Sequence, residues 1–241
     1  MPAYGNEFSS IYRERWDLWS RMMWPFLMRR LDERGIAGGR WLDLCCGTGS
    51  LLRLASERGF QTVGVDRSRH QLAHARELTP ESKLVCADIL TARLSGQFDV
   101  VTCLFDSLNY ILDEAFIAGL FRKIAVHLTS HGLFVFDVKT PEGFRAESDR
   151  TFVEDHRVVC FQSHYDEDTL VHRFQVVGFV QSGKHYRRFE EEHVQRSYER
   201  RSMDLHLCDA GFACECLDGE RFTSAAESSR RILYLCHRRE G

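Results

Sequence analysis

Short apolar runs alternate with amphipathic segments over residues 38–140. The apolar runs have the length of strands and lie near 40–45, 61–65, 83–87, 98–104 and 132–138. The amphipathic segments repeat apolar residues at helical spacing and lie near 49–58, 68–77 and 113–128. Strands that alternate with helices predict a parallel sheet joined by right-handed crossovers. We therefore expect an α/β fold that binds its ligand at the carboxyl ends of the strands.

Two further regions of the chain carry different patterns. Residues 8–34 repeat apolar side chains at mixed three- and four-residue steps, which predicts helix, and Pro25 is expected to divide it into two helices. Apolar and polar residues alternate over Thr151–Tyr165, Leu170–Gln181 and His185–Tyr198, with polar turns between them. This alternation predicts a three-stranded antiparallel insertion after the fifth strand.

Beyond the insertion the chain returns to the sheet. The pattern predicts a helix over Glu199–Asp209, a strand over Cys214–Leu217 and a last strand over Arg231–His237. We expect the last strand to enter the sheet antiparallel to its neighbours. The sequence has 4 prolines and no repeat or low-complexity linker, so it indicates a single domain.

Trp41–Gly49 runs from an apolar strand into a tight glycine turn, and a helical pattern follows it. A helix N-terminus after such a turn presents unpaired N–H groups to the polar part of a nucleotide-like cofactor. Asp66 ends the second strand, where a carboxylate can accept hydrogen bonds from a ribose. The third glycine of a dinucleotide-binding loop is missing, and the Asp43 carboxylate would repel a pyrophosphate. The turn therefore disfavours a nicotinamide oxidoreductase and suits a cationic, phosphate-free ligand such as S-adenosylmethionine.

Asp43–Gly49 resembles the glycine-rich signature of the class I S-adenosylmethionine-dependent methyltransferases. Gly64–Asp66, Cys86–Ile89, Phe98–Val101 and Gly132–Asp137 resemble further motifs of that family, in the right order and spacing. The resemblance implies a Rossmann-like, seven-stranded, mostly parallel sheet with an antiparallel last strand. It divides the single domain into an N-terminal helical lid at 1–37, a cofactor-binding core at 38–149, the β insertion at 150–198 and the rest of the core at 199–241.

The same resemblance implies a binding site for S-adenosylmethionine. Gly47 and Gly49 would lie under its methionine part, Asp66 would bind the ribose hydroxyls, Asp88 the adenine amino group, and Ile89 would pack on the ring. The residues implied to bind the cofactor are Tyr12, Asp43, Leu44, Cys45, Gly47, Thr48, Gly49, Asp66, Arg67, Ala87, Asp88, Ile89, Leu104 and Asp106.

The N-terminal helix carries candidates for contact with the methionine carboxylate. In the resembling family a helical lid often places a tyrosine there, and Tyr12 and Trp16 occupy that segment. The alternative is that both aromatic side chains form only the packed face of a helix.

Methyl transfer requires mainly a nucleophile held about 3 Å from the methyl group and aligned with the breaking bond. The fold therefore forces no catalytic residue, and the candidates are His193, Tyr12 and Asn109. On a strand Glu191 and His193 share one face, so His193 is either a base or substrate anchor or part of an ion-paired strand face. Asn109 either lines the pocket or serves as a turn residue ahead of the next helix.

Composition and net charge limit the kinds of function that the chain can have. The 241 residues are 44% hydrophobic with a formal net charge of -3, which supplies a core but no basic field for nucleic acid or a membrane surface. No apolar run approaches the roughly 20 residues of a membrane span, and the N-terminus lacks a signal-peptide pattern. The nine cysteines are scattered without a metal-binding spacing, so we expect no metal, reduced thiols and a cytoplasmic location.

We expect a methyltransferase acting on a small molecule, at nitrogen rather than oxygen or carbon. The nitrogen preference follows from Leu104–Tyr110 and the β insertion, which resemble a bacterial subgroup that includes small-molecule and aminosugar N-methyltransferases. One alternative is methylation of tRNA or protein, with the basic residues at Arg230–Arg231 and His237–Arg239 as a docking face. Another is a non-catalytic cofactor-binding partner subunit. We expect a monomer or homodimer with no nucleic-acid or membrane partner.

Overall fold

A computed structural model describes residues 6–239 of the chain, and within that range residues 6–8 and 10–16 are described by their backbone alone. The helices are α1 (Asn6–Asp32), α2 (Ser50–Glu57), α3 (Arg69–Leu78), α4 (Glu114–His127), α5 (Pro141–Arg145) and α6 (Arg200–Asp209). The strands are β1 (Arg40–Leu44), β2 (Gln61–Asp66), β3 (Lys83–Cys86), β4 (Phe98–Cys103), β5 (Leu128–Lys139), β6 (Arg150–Glu154), β7 (Arg157–Asp166), β8 (Val171–Ser182), β9 (His185–Arg196), β10 (Phe212–Asp218) and β11 (Arg231–Arg238). A 3₁₀ turn at Ser107–Tyr110 follows β4.

Seven strands form one sheet in the order β10-β11-β5-β4-β1-β2-β3. The strands from β5 to β3 run parallel, whereas β11 is antiparallel to both β5 and β10. The predicted sheet is therefore confirmed, including its antiparallel last strand. One face packs against α4 and α6 and the other against α1 and α2, which buries both faces as parallel strands require. None of the described helices is long and apolar enough to cross a membrane.

A second, antiparallel sheet has the strand order β6-β7-β8-β9. The prediction of three strands was wrong, because the segment Thr151–Tyr165 contains a turn at Asp155 and His156 that separates β6 from β7. Neither turn residue is glycine or proline, but four consecutive polar residues, Glu154–Arg157, interrupt the alternation there and aspartate favours turns, so the sequence does carry a signal for this turn. Val153 and Val158, on either side of it, pair directly across the two strands.

The first helix is continuous, whereas the sequence predicts two helices there. Helix α1 runs unbroken over Asn6–Asp32 with Pro25 inside it, so the division into two helices was wrong. Met23, Leu27 and Leu31 repeat at four-residue spacing around the proline and are buried against the sheet. This packing holds both halves of the helix together and offsets the one hydrogen bond that proline removes.

A buried guanidinium joins the sheet to the loop after β4. Arg231, the first residue of β11, donates from Nη2 to Asp106 Oδ1 at 2.7 Å and from Nη1 to Asp137 of β5. Asp137 also accepts the backbone N–H groups of Phe105, at 2.6 Å, and Asp106, at 3.0 Å. Both loop residues have left-handed φ values, 65° and 49°, which side-chain-bearing residues adopt rarely. The Asp137 carboxylate thus holds the loop in a strained conformation.

Two more elements converge on this group, which we call the Arg231 cluster: Arg231, Asp106 and Asp137. The Trp19 ring of α1 lies 5.5 Å from the Arg231 guanidinium, and Gln195 of β9 donates to Asp106 Oδ2 at 2.8 Å. Burial raises the pKa of Asp106, but the charges of Arg231 and Lys139 and the hydrogen bonds from Gln195 and Arg231 together outweigh it, so the pKa lies below its usual value. Burial raises the pKa of Asp137, and the charge of Arg231 opposes this. The cluster links both sheets and the N-terminal helix.

Replacing Arg231 with methionine should destabilise the protein by about 3–5 kcal/mol, because the two carboxylates stay buried without their cation. The exposed Arg21→Met variant, which loses only an ion pair with Asp17 on the surface of α1, serves as the control and should change stability by no more than about 0.5 kcal/mol. Urea unfolding at neutral pH measures both. A loss below about 1 kcal/mol for Arg231→Met would contradict a dependence of the fold on this cluster.

Candidate functional site

A cavity of about 360 Å³ lies at the carboxyl ends of β1, β2, β3 and β4. One wall comes from the glycine turn after β1, the end of β2 with the start of α3, and the residues after β3. The opposite wall comes from the loop after β4, the 3₁₀ turn and the start of α4. The residues that line the cavity include Ser20, Asp43, Gly47, Ser50, Asp66, Arg67, Gln71, Asp88, Ile89, Leu104, Tyr110, Leu112 and Phe116.

The glycine turn is tied to the end of β2. Gly47 and Gly49 both have positive φ values, 54° and 81°. A Cβ on Gly49 would lie 3.0 Å from the Cβ of Ala75, so glycine there also allows α2 to approach α3. The Gly47 N–H donates to Asp66 Oδ2 at 2.9 Å, and the Ser68 N–H donates to Oδ1 at 2.7 Å. The Asp66 carboxylate thus positions the turn as well as facing the cavity.

Asp43 adds a second carboxylate to the cavity wall, and its hydrogen-bond partner differs from those of Asp66. Its Oδ1 accepts a hydrogen bond from Thr102 Oγ1 at 2.6 Å, and no ion pair to it occurs among the side chains that the structure describes. Burial raises the pKa of Asp43 to about 7, the Thr102 hydrogen bond opposes this, and the charge of Asp66 adds to it. A cation bound beside Asp43 would favour its ionised form.

Two buried polar side chains on the cavity wall have no hydrogen-bond partner within the described part of the chain. The atoms are the hydroxyl of Ser50 and the nitrogen and oxygen of the Gln71 amide. Ser50 is 3% exposed and Gln71 is 1% exposed. Buried polar groups are nearly always hydrogen-bonded, so these atoms indicate polar groups of a ligand. Sequence analysis missed Gln71. The sequence does offer a signal for it. Gln71 is a polar residue three positions after Ser68, the N-cap of α3, and it lies on the helix face that carries the buried Leu72 and Ala75.

The other residues implied to bind the cofactor fall into two groups. Cys45, Thr48, Arg67, Ala87, Asp88, Ile89 and Leu104 line the cavity together with Asp43, Gly47 and Asp66. Leu44, Gly49 and Asp106 do not line it: Leu44 belongs to the core, Gly49 packs on α3, and Asp106 faces Arg231. The side chains of Tyr12 and Trp16 lie outside the described residues.

Neither described catalytic candidate lines the cavity itself. Asn109 is buried, and its Nδ2 donates to the carbonyls of Lys139, at 3.0 Å, and Arg196, at 2.7 Å, while Oδ1 accepts the Lys139 N–H. Its amide thus clamps the 3₁₀ turn between β5 and β9. His193 is also buried, and its Nδ1 lies 2.9 Å from the hydroxyl of Tyr110, which does line the cavity. Sequence analysis missed Tyr110, because only the packing of the two sheets brings it to His193.

The two opposite walls of the cavity differ in chemical character. Carboxylates from the ends of three neighbouring strands line one wall, and that wall suits a ligand that carries positive charge and hydroxyl groups. Apolar side chains such as Leu112 and Phe116 dominate the opposite wall, where Tyr110 adds a phenol. Over the described range, no three histidine, cysteine or carboxylate side chains come together as metal ligands.

Comparison with known proteins agrees with this geometry. A family model described as a methyltransferase domain matches residues 20–217. YqeM of Bacillus subtilis (strain 168), a relative named only provisionally as a methyltransferase, is 30% identical over 220 residues, 85% of each chain. The dTDP-3-amino-3,4,6-trideoxy-alpha-D-glucopyranose N,N-dimethyltransferase of Streptomyces venezuelae is 28% identical over 182 residues, 74% of this chain and 77% of that protein.

A solved structure extends the likeness to the whole fold. An S-adenosylmethionine-dependent methyltransferase from Clostridium acetobutylicum ATCC 824 superimposes with a TM-score of 0.85 at 26% identity, covering 98% of this chain and 99% of that one. The family match spans the cavity, the glycine turn and the three carboxylate-bearing strand ends. The chain therefore belongs to the class I S-adenosylmethionine-dependent methyltransferases, the family that its motifs resemble.

Proposed function

We propose that this protein methylates the nitrogen of a small amine, with an amino sugar as the leading acceptor class. The observation that carries the proposal is the 360 Å³ cavity with carboxylates on one wall and apolar side chains and a phenol on the other. A cavity of this size is typical of small-molecule sites. The Streptomyces venezuelae relative, whose name specifies an amino sugar and N,N-dimethylation, supports the acceptor class.

The carboxylate wall would hold the cofactor. We assign the ribose hydroxyls to Asp66, the adenine amino group to Asp88, the adenine ring to Ile89 and the cationic methionine part to the neighbourhood of Asp43 and Gly47. Gln71 and Ser50 fit this assignment, because their unpaired atoms would gain partners in the ligand. When bound, S-adenosylmethionine supplies a methyl group on a positively charged sulfur, already activated for displacement.

The opposite wall would hold the acceptor. Leu112 and Phe116 are partly exposed apolar side chains at the start of α4, where they can pack on an acceptor and keep water away from its nitrogen. The N-terminal helix reaches the same cavity through Ser20. We propose that this helix is the lid of a single cytoplasmic methyltransferase domain.

Calorimetry and product analysis test the function together. S-adenosylmethionine and S-adenosylhomocysteine should bind with micromolar affinity, and a panel of dTDP-linked 3-amino sugars should gain methyl groups on nitrogen, read by mass spectrometry. The same sugars with a hydroxyl in place of the amine are the matched controls and should stay unmodified. Binding without methylation of any amine would contradict the acceptor class, and no binding would contradict the cofactor assignment.

The pKa of about 7 at Asp43 predicts a pH dependence of cofactor binding. Below pH 7 the carboxyl is protonated and must release its proton to attract a cation, so affinity should fall as the pH drops from 7.5 to 5.5. The fall should approach about tenfold per pH unit at the acidic end. Asp43→Asn should bind S-adenosylmethionine more weakly, with no such pH dependence in this window. Calorimetry across this range measures both, and a flat wild-type profile would exclude Asp43 as a partner of the cation.

A further inference from the structure

A row of polar side chains leads from the cavity into the second sheet. Tyr110 lines the cavity, and its hydroxyl lies 2.9 Å from Nδ1 of His193 on β9. On the other side of the ring, Nε2 of His193 lies 3.3 Å from Oε2 of Glu191. Phenol, imidazole and carboxylate thus follow one another over one hydrogen-bonding distance and one ion-pair distance.

The surroundings fix this row in place. The side chain of His193 is 0% exposed and that of Glu191 is 7% exposed. The Phe174 ring stacks on the imidazole with 4.4 Å between the centroids and 4° between the planes. The Asn109 amide ties the 3₁₀ turn that carries Tyr110 to the carbonyl of Arg196 on β9, three residues beyond His193. Tyr110 and His193 therefore hold their relative positions without help from a ligand.

The order of the groups determines where the protons lie. A carboxylate beside Nε2 stabilises a proton on that nitrogen, because the N–H then lies close to negative charge. Nδ1 of the neutral ring is then an acceptor and receives the Tyr110 O–H. The phenol oxygen keeps its lone pairs, and its residue faces the cavity.

We propose that Tyr110, His193 and Glu191 form a proton relay that takes up the proton which the acceptor nitrogen loses on methylation. The inference rests on the proposed function, since it needs an acceptor with an N–H group. Tyr110 is the catalytic residue of the relay, and His193 and Glu191 are positioning residues that act through it.

Methyl transfer and the relay together move one methyl group and one proton. The nitrogen lone pair forms the new N–C bond, and the electron pair of the broken S–C bond stays on sulfur, which becomes neutral. The methylated nitrogen, now positive, passes one proton to Tyr110 Oη, while the phenol proton moves to His193 Nδ1. The imidazolium formed in this way is stabilised by the Glu191 carboxylate. The neutral methylated amine then leaves with its lone pair restored.

A purely structural role for the same cluster makes a different prediction. In that case the contacts only anchor the second sheet over the cavity, and any side chain that accepts the Tyr110 hydrogen bond would serve. His193→Gln separates the two, because the glutamine carbonyl accepts a hydrogen bond but does not take up a proton. A relay requires the proton uptake.

The first readout needs no acceptor. In protein labelled with ¹⁵N-histidine, the His193 resonances, assigned by their loss in His193→Gln, should show the proton on Nε2. Tyr110→Phe should shift the Nδ1 resonance and leave the Nε2 proton in place. A proton on Nδ1 in the wild-type protein would overturn the relay, since Nδ1 would then be unable to accept from the phenol.

The second readout is the kinetics of methyl transfer to dTDP-3-amino-3,4,6-trideoxy-α-D-glucopyranose as the probe. Tyr110→Phe and His193→Gln should each lower kcat by about tenfold or more, with KM and the affinity for S-adenosylhomocysteine changed by less than about twofold. His185→Gln, at the exposed start of the same strand, is the matched control and should keep the wild-type kcat. An unchanged kcat in His193→Gln would overturn the relay and leave an anchoring role.

The outcomes separate this inference from the proposed function. Wild-type protein that binds S-adenosylhomocysteine but methylates no probe amine contradicts the acceptor class. The histidine spectrum then decides the relay by itself, with the Nε2 proton and the Tyr110→Phe shift in its favour and an Nδ1 proton against it. Full turnover of the probe by all three variants, Tyr110→Phe, His193→Gln and Glu191→Gln, would support the function and overturn the relay.

Discussion

The guanidinium of Arg231 lies between the buried carboxylates of Asp106 and Asp137, and the wall of the cavity depends on that contact. Taking three charged groups out of water is unfavourable unless they pair closely, so the groups must meet in one geometry. Because Asp137 also binds two backbone N–H groups of the loop after β4, the same geometry holds the loop in its left-handed conformation. Tyr110 follows only four residues after Asp106. The position of the phenol in the cavity therefore depends on a cluster that does not itself line the cavity.

The two charged regions of the site differ in how their carboxylates are compensated. In the Arg231 cluster the cation belongs to the protein, and the pKa of Asp106 is held below its usual value although burial raises that of Asp137. At Asp43 burial dominates and raises the pKa to about 7. A carboxyl group in that state is paired most favourably by a cation that arrives from outside. The same physical principle thus gives a contact within the protein at β5 and β11 and leaves the carboxyl group on β1 open to a cationic ligand.

Features that depend on neighbouring residues in the chain could be predicted from the sequence. The strands, the glycine turn and the carboxylates at the strand ends arise from local periodicity and from backbone conformations that need glycine. Features that depend on tertiary packing could not be predicted from the sequence. Helix α1 continues through Pro25 because the sheet buries Met23 and Leu27 on both sides of it. The turn between β6 and β7 was also missed, although four consecutive polar residues, Glu154–Arg157, mark it in the sequence.

In the candidate site, too, the residues set by local sequence could be predicted and those set by packing could not. The residues of Asp43–Thr48 and Asp66 reach the cavity because the strand ends carry them there, apart from Leu44, which packs into the core. The faces of Asp106 and Asn109 were not predictable, because Arg231 and Lys139, their partners, are distant in the chain. Gln71 and Tyr110 have sequence neighbourhoods typical of an ordinary helix and turn. Only the tertiary structure shows that one is unpaired in a buried wall and that the other contacts His193.

The central claim is that the carboxylate wall of the cavity binds S-adenosylmethionine. A crystal structure with S-adenosylhomocysteine tests it most directly. We predict the ribose oxygens within about 3 Å of the Asp66 carboxylate, the adenine ring against Ile89, and the Gln71 amide hydrogen-bonded to the ligand. A ligand bound elsewhere, or a ribose turned away from Asp66 with Gln71 still unpaired, would contradict the account.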